Sequence, residues 1–247
     1  MTFRTTSACV LLLAAVAAGQ DGARSLLDAA RKRVEATRGR TGDELAQGLK
    51  EAAELLEQVA KKHPAAKTEI GRADLELGRV RKRLGDASAA EEAFKRASAA
   101  EETRVAAEAL HELAGVYKKQ KKLGEAQAAL ERVVAEFGME PRERAEAFIR
   151  LAGLHRAGKR PQEAETALLR VLAEHADLYA CAVEALDDPV ALKLSLDQDA
   201  EARKAFDAHA EGLKTRYVGG RNEARLQTAL DRIQLRLKKS ERDDGPK

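Results

Sequence analysis

The sequence predicts an all-α protein, a solenoid of stacked helical hairpins that ends in a C-terminal helical cap. Aromatic residues make up only 3% of the chain and Trp is absent, whereas β-sheet cores draw on aromatic and β-branched side chains. Alanine, leucine, glutamate, arginine and lysine, which are strong helix formers, are abundant instead. The third observation is a helix–turn–helix pattern that recurs along the chain.

The first residues have the pattern of a secretory signal peptide. Arg4 precedes an apolar run from Ala8 to Ala18, and polar sequence follows. This run is shorter than the roughly 20 residues that cross a bilayer, so we predict no membrane span. We predict that residues 1–19 are removed on export and that the protein is periplasmic or secreted. A buried N-terminal helix is the alternative.

Residues 20–43 are predicted to form an N-terminal helix and turn, and residues 44–173 carry the repeats. Each copy has a Leu followed by a small residue, an Ala thirteen positions after that Leu, and a bulky residue four positions later. The alanines recur at intervals of 38, 36 and 38 residues, as Ala52, Ala90, Ala126 and Ala164. A hairpin cannot bury its apolar face alone, so we expect the copies to stack. Small residues such as Gly78 then let two helices approach closely, and Phe94 fills the adjoining space.

This pattern resembles the tetratricopeptide repeat, a helix–turn–helix unit of about 34 residues. The resemblance rests on Leu77, Gly78, Gly85, Ala90, Phe94 and Ala97, then on Leu113, Tyr117 and Ala126, and then on Leu151 and Ala164. The usual aromatic residue at the first motif position is missing in every copy. The long spacing is similar to that of exported, periplasmic tetratricopeptide proteins of bacteria. The resemblance implies a scaffold that binds a protein or peptide partner.

After residue 173 the repeat pattern fades into a predicted C-terminal helical cap, residues 174–239. One helix is predicted to end before Pro189. The last helix carries a long apolar stripe, composed of Leu226, Ala229, Leu230, Ile233 and Leu237. Such a stripe either closes the end of a solenoid or docks a second copy or a partner. Residues 240–247 are predicted to be a disordered tail.

No pattern for catalysis, a cofactor or a metal is present in the sequence. His111-Glu112 lacks the second histidine of a zinc-protease helix, because Gly115 stands at that position. Removal of the signal peptide would leave Cys181 as the single cysteine, and its apolar neighbours favour a buried side chain over a reactive thiol. The formal net charge is +3 and the charges are mixed, which argues against a nucleic-acid partner. We therefore predict a protein that is not an enzyme.

In tetratricopeptide solenoids the first helix of each hairpin lines a concave groove, and the resemblance implies binding residues there. The outward-facing positions are Arg72, Leu75, Arg79, Lys82 and Arg83, then Glu108, His111, Lys118 and Lys119, and then Glu146, Ile149 and Arg156. Lys82, Lys118 and Arg156 recur as cations late in their helices. Stacked, they would form a basic stripe that attracts an acidic segment or a C-terminal carboxylate. Alternatively, these cations only complement the helix dipoles.

The main functional hypothesis is an exported, non-enzymatic scaffold that binds a protein partner in this groove and serves cell-envelope assembly in a bacterium. The alternative is a structural protein that self-associates through its terminal helices. A third hypothesis is an accessory domain of an enzyme. The sequence leaves the partner and the oligomeric state open.

Overall fold

The computed structural model describes the backbone of residues 5–195 and 198–243, and the side chains of residues 19–195 and 198–240. Within these ranges the chain is built of eleven α-helices and contains no strand, which confirms the predicted all-α fold. The helices are α1 (Thr5–Ala36), α2 (Gly42–Lys62), α3 (Lys67–Arg83), α4 (Ala87–Ala97), α5 (Thr103–Lys119), α6 (Leu123–Glu136), α7 (Pro141–Ala157), α8 (Pro161–Glu174), α9 (Tyr179–Leu194), α10 (Asp199–Tyr217) and α11 (Glu223–Asp243).

The predicted signal peptide and the predicted disordered tail are only partly covered by the described residues. Residues 1–4 and 244–247 lie outside the described residues, and so do the side chains of residues 5–18. Residues 240–243 of the predicted tail form the end of α11. Among the helices that are described, none is both long enough and apolar enough to cross a membrane. Removal of residues 1–19 stays a prediction.

The chain divides into two compact units, Met1–Ala129 and Leu130–Lys247. In unit 1, α1 packs on α2 and α3 packs on α4. The first helices of the hairpins also contact each other, α1 with α3 and α3 with α5. This is the pairing expected of stacked hairpins. The buried core of α1 to α4 is made of aliphatic and alanine side chains, among them Leu27, Leu49, Leu56, Leu77 and Val80.

The close approach of α3 and α4 centres on Gly78. A Cβ atom placed on Gly78 would lie 2.5 Å from Cδ1 of Phe94, which is nearer than real Cβ contacts come. Phe94 is completely buried, and Ala90 on the same helix is also at 0% exposure. The predicted arrangement of a small residue on one helix and a large side chain on the next is therefore present in this hairpin.

Three hairpin turns in the chain share one backbone geometry. In the α3–α4 turn, Gly85 has a φ of 82°, and the N–H of Asp86 donates to the carbonyl oxygen of Arg81. The same pattern closes the α5–α6 turn, where Lys121 has a φ of 62°, and the α7–α8 turn, where Lys159 has a φ of 56°. This left-handed conformation favours glycine. Both lysines thus occupy a position where a side chain is strained.

We expect Lys121→Gly to raise the free energy of unfolding by about 0.5–1 kcal/mol, because glycine relieves the steric penalty of a positive φ. Denaturant unfolding followed by circular dichroism measures this gain. Lys118→Gly is the control, since it places glycine inside α5 and should cost up to about 1 kcal/mol. Equal losses in the two variants would contradict the strain at Lys121.

In unit 2, α7 packs on α8, α8 on α9, and α9 contacts both α10 and α11. The apolar stripe of α11 faces inward. Its leucines and Ile233 share a core with Leu186, Phe206 and Leu213, and all of these side chains are buried. The C-terminal helices therefore cover the stripe that the sequence also allowed to dock a second copy.

The predicted helix end before Pro189 is wrong. α9 continues to Leu194, and Pro189 is a buried residue inside it. A proline removes one backbone hydrogen bond and normally breaks or kinks a helix. Here Leu186 and Val190 on either side of the proline are both anchored in the unit 2 core, so tertiary packing holds the helix together across it.

Candidate partner-binding surface

Three of the six predicted groove cations in unit 1 are bound to carboxylates on, or just before, the next first helix. Arg72 Nε lies 2.7 Å from Glu102 Oε2, just before α5. Arg79 reaches Glu108 Oε2 at 2.9 Å and Glu112 Oε1 at 3.3 Å. Lys82 also pairs with Glu112. These contacts form a ladder of ion pairs between α3 and α5.

The ladder favours the charged forms of Arg79 and Glu112. Burial opposes the charge on Arg79, yet the hydrogen bond to Glu108 and the attraction of Glu76 and Glu112 raise its pKa. Burial likewise opposes the charge on Glu112, but Lys82 and Arg79 lower the pKa of this carboxyl. Both side chains are only partly exposed, so water screens the pairs less than at an open surface. Charge on this face therefore serves first to join two repeats.

Two predicted groove residues do not face outward. Leu75 and His111 are each only 4% exposed. They lie on α3 and α5, whose mutual contact leaves little of the facing surface open. The expectation that these two side chains line an open groove is therefore corrected.

The remaining predicted residues of unit 1 are more accessible. Lys118 and Lys119 are exposed, and neither has an ion-pair partner among the side chains that the structure describes. Arg83 donates from Nη2 to Oγ1 of Thr37 at 3.2 Å. Arg83 also lines an open cavity between α1 and α3.

This cavity has a volume of about 390 Å³ and combines an apolar floor with cations. Its buried lining residues are Ala30 and Leu56, and Arg31, Arg38 and Arg83 contribute guanidinium groups. Its remaining lining residues are Val34, Glu35 and Glu76. We name this cavity the α1–α3 groove.

Arg31 and Arg38 are candidate binding residues that the repeat pattern did not predict. Arg31 lies on α1, and Arg38 lies in the turn that follows this helix. Their ion pairs are long and exposed: Arg31 lies 3.7 Å from Asp28, and Arg38 lies 3.5 Å from Glu35. Such pairs contribute little stability, so both guanidinium groups can turn to another carboxylate.

Unit 2 has a groove of its own between α7 and α9, with a volume of about 510 Å³. The predicted residue Ile149 lines it together with Tyr179 and Cys181. Burial raises the pKa of the Cys181 thiol, and the nearby Glu184 and Glu146 carboxylates add to this effect. The thiol therefore stays protonated and weakly nucleophilic.

Arg156, the last member of the predicted basic stripe, is paired in the same unit. Its Nη2 lies 2.7 Å from Oδ2 of Asp188 on α9. This pair repeats, between α7 and α9, the contact that Lys82 makes between α3 and α5. Within the described residues, no cluster of three or more His, Cys, Asp or Glu side chains is arranged to hold a metal ion.

Comparison with known proteins rests on structure. No protein-family model matches the chain, and no curated protein matches it either. One similar solved structure is a putative kinesin light chain of Podosopora anserina with nearly identical TPR-like repeats, at a TM-score of 0.54 and 23% identity. The match covers 78% of this chain and 94% of that one.

A second similar structure is that of MamA, with a TM-score of 0.51 and 19% identity. Here the match covers 69% of this chain and 91% of that chain. At these identities the likeness concerns the fold. Together with the helical hairpins of both units, it shows that the chain has the tetratricopeptide-repeat fold.

Proposed function

We propose that the protein is an exported, non-enzymatic scaffold that binds an acidic segment of a protein partner in the bacterial cell envelope. The α1–α3 groove carries this proposal, because it is an open cavity with three arginines around an apolar floor. Its place among the first helices agrees with the surface that the repeat resemblance implies. Residues Arg72, Arg79, Lys82 and Arg156 act in this proposal as links between repeats.

The chemistry of the α1–α3 groove suits one class of peptide. A guanidinium group binds a carboxylate through two parallel hydrogen bonds, and Arg31, Arg38 and Arg83 supply three such groups. Ala30 and Leu56 offer a small apolar surface between them. An extended segment with Asp or Glu next to an aliphatic residue satisfies both features. Glu35 and Glu76 on the same lining disfavour a basic segment.

The test starts with the proteins that the full chain retains from a bacterial envelope extract. The segment of a retained protein that binds is mapped and synthesised, and its affinity is measured by fluorescence anisotropy. We expect the triple variant Arg31→Glu, Arg38→Glu and Arg83→Glu to bind this peptide at least about tenfold more weakly, since each lost charge-assisted hydrogen bond is worth about 1.5–3 kcal/mol.

The matched control is the triple variant Lys50→Glu, Lys61→Glu and Lys62→Glu, which makes the same charge change on exposed positions of α2. It should keep the affinity of the wild-type chain. Circular dichroism checks that both variants stay helical. An equal loss of affinity in the two variants would show that net charge alone determines peptide binding. Unchanged affinity in both variants would exclude the groove as the binding site.

A further inference from the structure

A second basic surface in unit 1 lies at the ends of the first helices and shares Arg38 and Arg83 with the α1–α3 groove. It is formed by the cations of three hairpin turns and the last residues of the helices that lead into them. We call it the basic turn edge, and its members are Arg38, Arg40, Arg81, Lys82, Arg83, Lys118, Lys119, Lys121 and Lys122.

Side-chain contacts place the three turns side by side. Arg83 at the end of α3 donates to Thr37 in the α1–α2 turn. Gln120 in the α5–α6 turn donates to Glu91 of α4 at 3.3 Å, and Lys122 lies 3.6 Å from the same carboxylate. Because the first helices contact one another in sequence, their C-terminal ends share one edge of the unit.

The charge of this edge is only partly balanced within the unit. Arg81 pairs with Glu57 at 2.6 Å, and Lys82 pairs with Glu112. In contrast, Lys118, Lys119 and Lys121 are exposed, and no ion pair joins them to any side chain that the structure describes. Lys118 and Lys119 at the end of α5 and Lys121 in the following turn therefore present net positive charge to solvent.

The backbone shows that one of these lysines occupies a conformation that is strained for a side chain. Lys121 has the positive φ that Gly85 has in the preceding turn. Glycine would be the more stable choice at this position. A strained residue that is charged and exposed, next to two further free lysines, is typical of a functional surface.

Among the residues that the structure describes, the three exposed cations of this edge without a side-chain hydrogen bond or ion pair are all lysines, which favours a surface of anionic lipid headgroups over a nucleic acid. A lysine ammonium is a compact, flexible point charge that suits many headgroups, whereas directional recognition favours arginine. Single-stranded nucleic acids also need exposed aromatic rings for stacking, and Tyr117, the aromatic residue beside this edge, is only 9% exposed. Its ring lies under Lys122, whose Nζ is 5.6 Å from the ring centroid.

We propose that the basic turn edge of unit 1 binds the surface of a membrane that contains anionic lipids. Attraction of this kind acts within about a Debye length of the surface and weakens with salt. It needs no spanning helix. The proposal can be tested separately from peptide binding in the α1–α3 groove, because Lys118, Lys119 and Lys121 do not line that groove.

The test compares sedimentation of the full chain with vesicles of phosphatidylcholine alone and with vesicles that also contain phosphatidylglycerol. Binding to the first kind measures any apolar contribution of the N-terminal residues. We expect the added anionic lipid to increase the fraction of protein bound to vesicles. In the variant Lys118→Glu, Lys119→Glu, Lys121→Glu, this increase should be at least about tenfold smaller than in the wild-type chain. Arg38 and Arg83 stay unchanged, so that the groove is preserved.

The variant Lys50→Glu, Lys61→Glu, Lys62→Glu again supplies the control of equal charge and should keep most of the increase. Lys121→Gly should bind anionic vesicles more weakly than the wild-type chain while its melting temperature rises. Equal losses in the two triple variants would overturn the proposal. The proposal would also be overturned if duplex DNA displaced the protein from the vesicles and bound through the same three lysines, because the edge would then bind polyanions in general.

Discussion

Phe94→Ala is expected to lower the free energy of unfolding of unit 1 by about 3–5 kcal/mol, as large-to-small changes of buried aromatic residues do. The Phe94 ring is completely buried and lies against Gly78, so its removal leaves a cavity that two rigid helices cannot fill. Each hairpin contacts only its neighbours, so the loss should fall on α3 and α4 first. Denaturant unfolding followed by circular dichroism measures the effect.

The partner change Gly78→Ala tests the same contact from the other helix. Alanine is favoured over glycine in a helix by about 1 kcal/mol, yet here its Cβ would collide with the Phe94 ring. We expect a net loss of about 1–3 kcal/mol from overpacking. Gly115→Ala in α5 is the control. A Cβ there meets nothing within 4 Å, so this variant should gain about 0.5–1 kcal/mol.

The double variant Gly78→Ala, Phe94→Leu measures the energetic coupling between positions 78 and 94. A smaller side chain at position 94 makes room for the new methyl group, so the two changes should together cost less than the sum of their separate losses. If Gly78→Ala stabilised the protein as much as Gly115→Ala, the two helices would lie farther apart than the structure places them.

This contact also explains why the fold could be predicted from the sequence. Gly78, Ala90 and Phe94 belong to one hairpin, and their spacing already identifies the faces that meet. The turns were harder to predict. Gly85 marks a turn by its residue type, but Lys121 adopts the same backbone geometry without glycine, because the hydrogen bonds that close the turn involve backbone groups of any residue.

The candidate site was less predictable, since it depends on contacts between hairpins. Lys82 looked like a free cation because its partner Glu112 stands 30 residues away, on the next first helix. The exposure of Leu75 likewise depends on how closely the next hairpin packs. The distance between these partners is close to one repeat length, so an acid about 30 residues after a cation is the pattern that could have revealed the ladder.

The two grooves have different origins in the sequence. Ile149 was found because the repeat pattern continues as far as α7. Arg31 and Arg38 were missed because they precede the first recognisable copy. Only the packing of α1 against α3 in the structure brings them together with Arg83. The segment before the repeats, which consists of α1 and the turn after it, therefore supplies two of the three arginines of the proposed peptide site.

Leu230→Ala is expected to lower the free energy of unfolding of unit 2 by about 2–5 kcal/mol. Leu230 is 2% exposed and belongs to the core that α9, α10 and α11 share. The loss should therefore appear at every protein concentration. Leu235→Ala on the same helix is the matched control: this leucine is 68% exposed, and its removal should change stability by less than about 0.5 kcal/mol.

The same pair of variants tests self-association through the terminal helices. A stripe that served as a dimer seam would give an unfolding midpoint that rises with protein concentration, and Leu230→Ala would remove that dependence and halve the mass seen by light scattering. A stripe buried within its own unit predicts the opposite, an unfolding loss with no change in mass. If the concentration dependence of the unfolding midpoint disappeared in Leu235→Ala instead, self-association would involve the exposed side of α11, where Leu235 is open to a second copy.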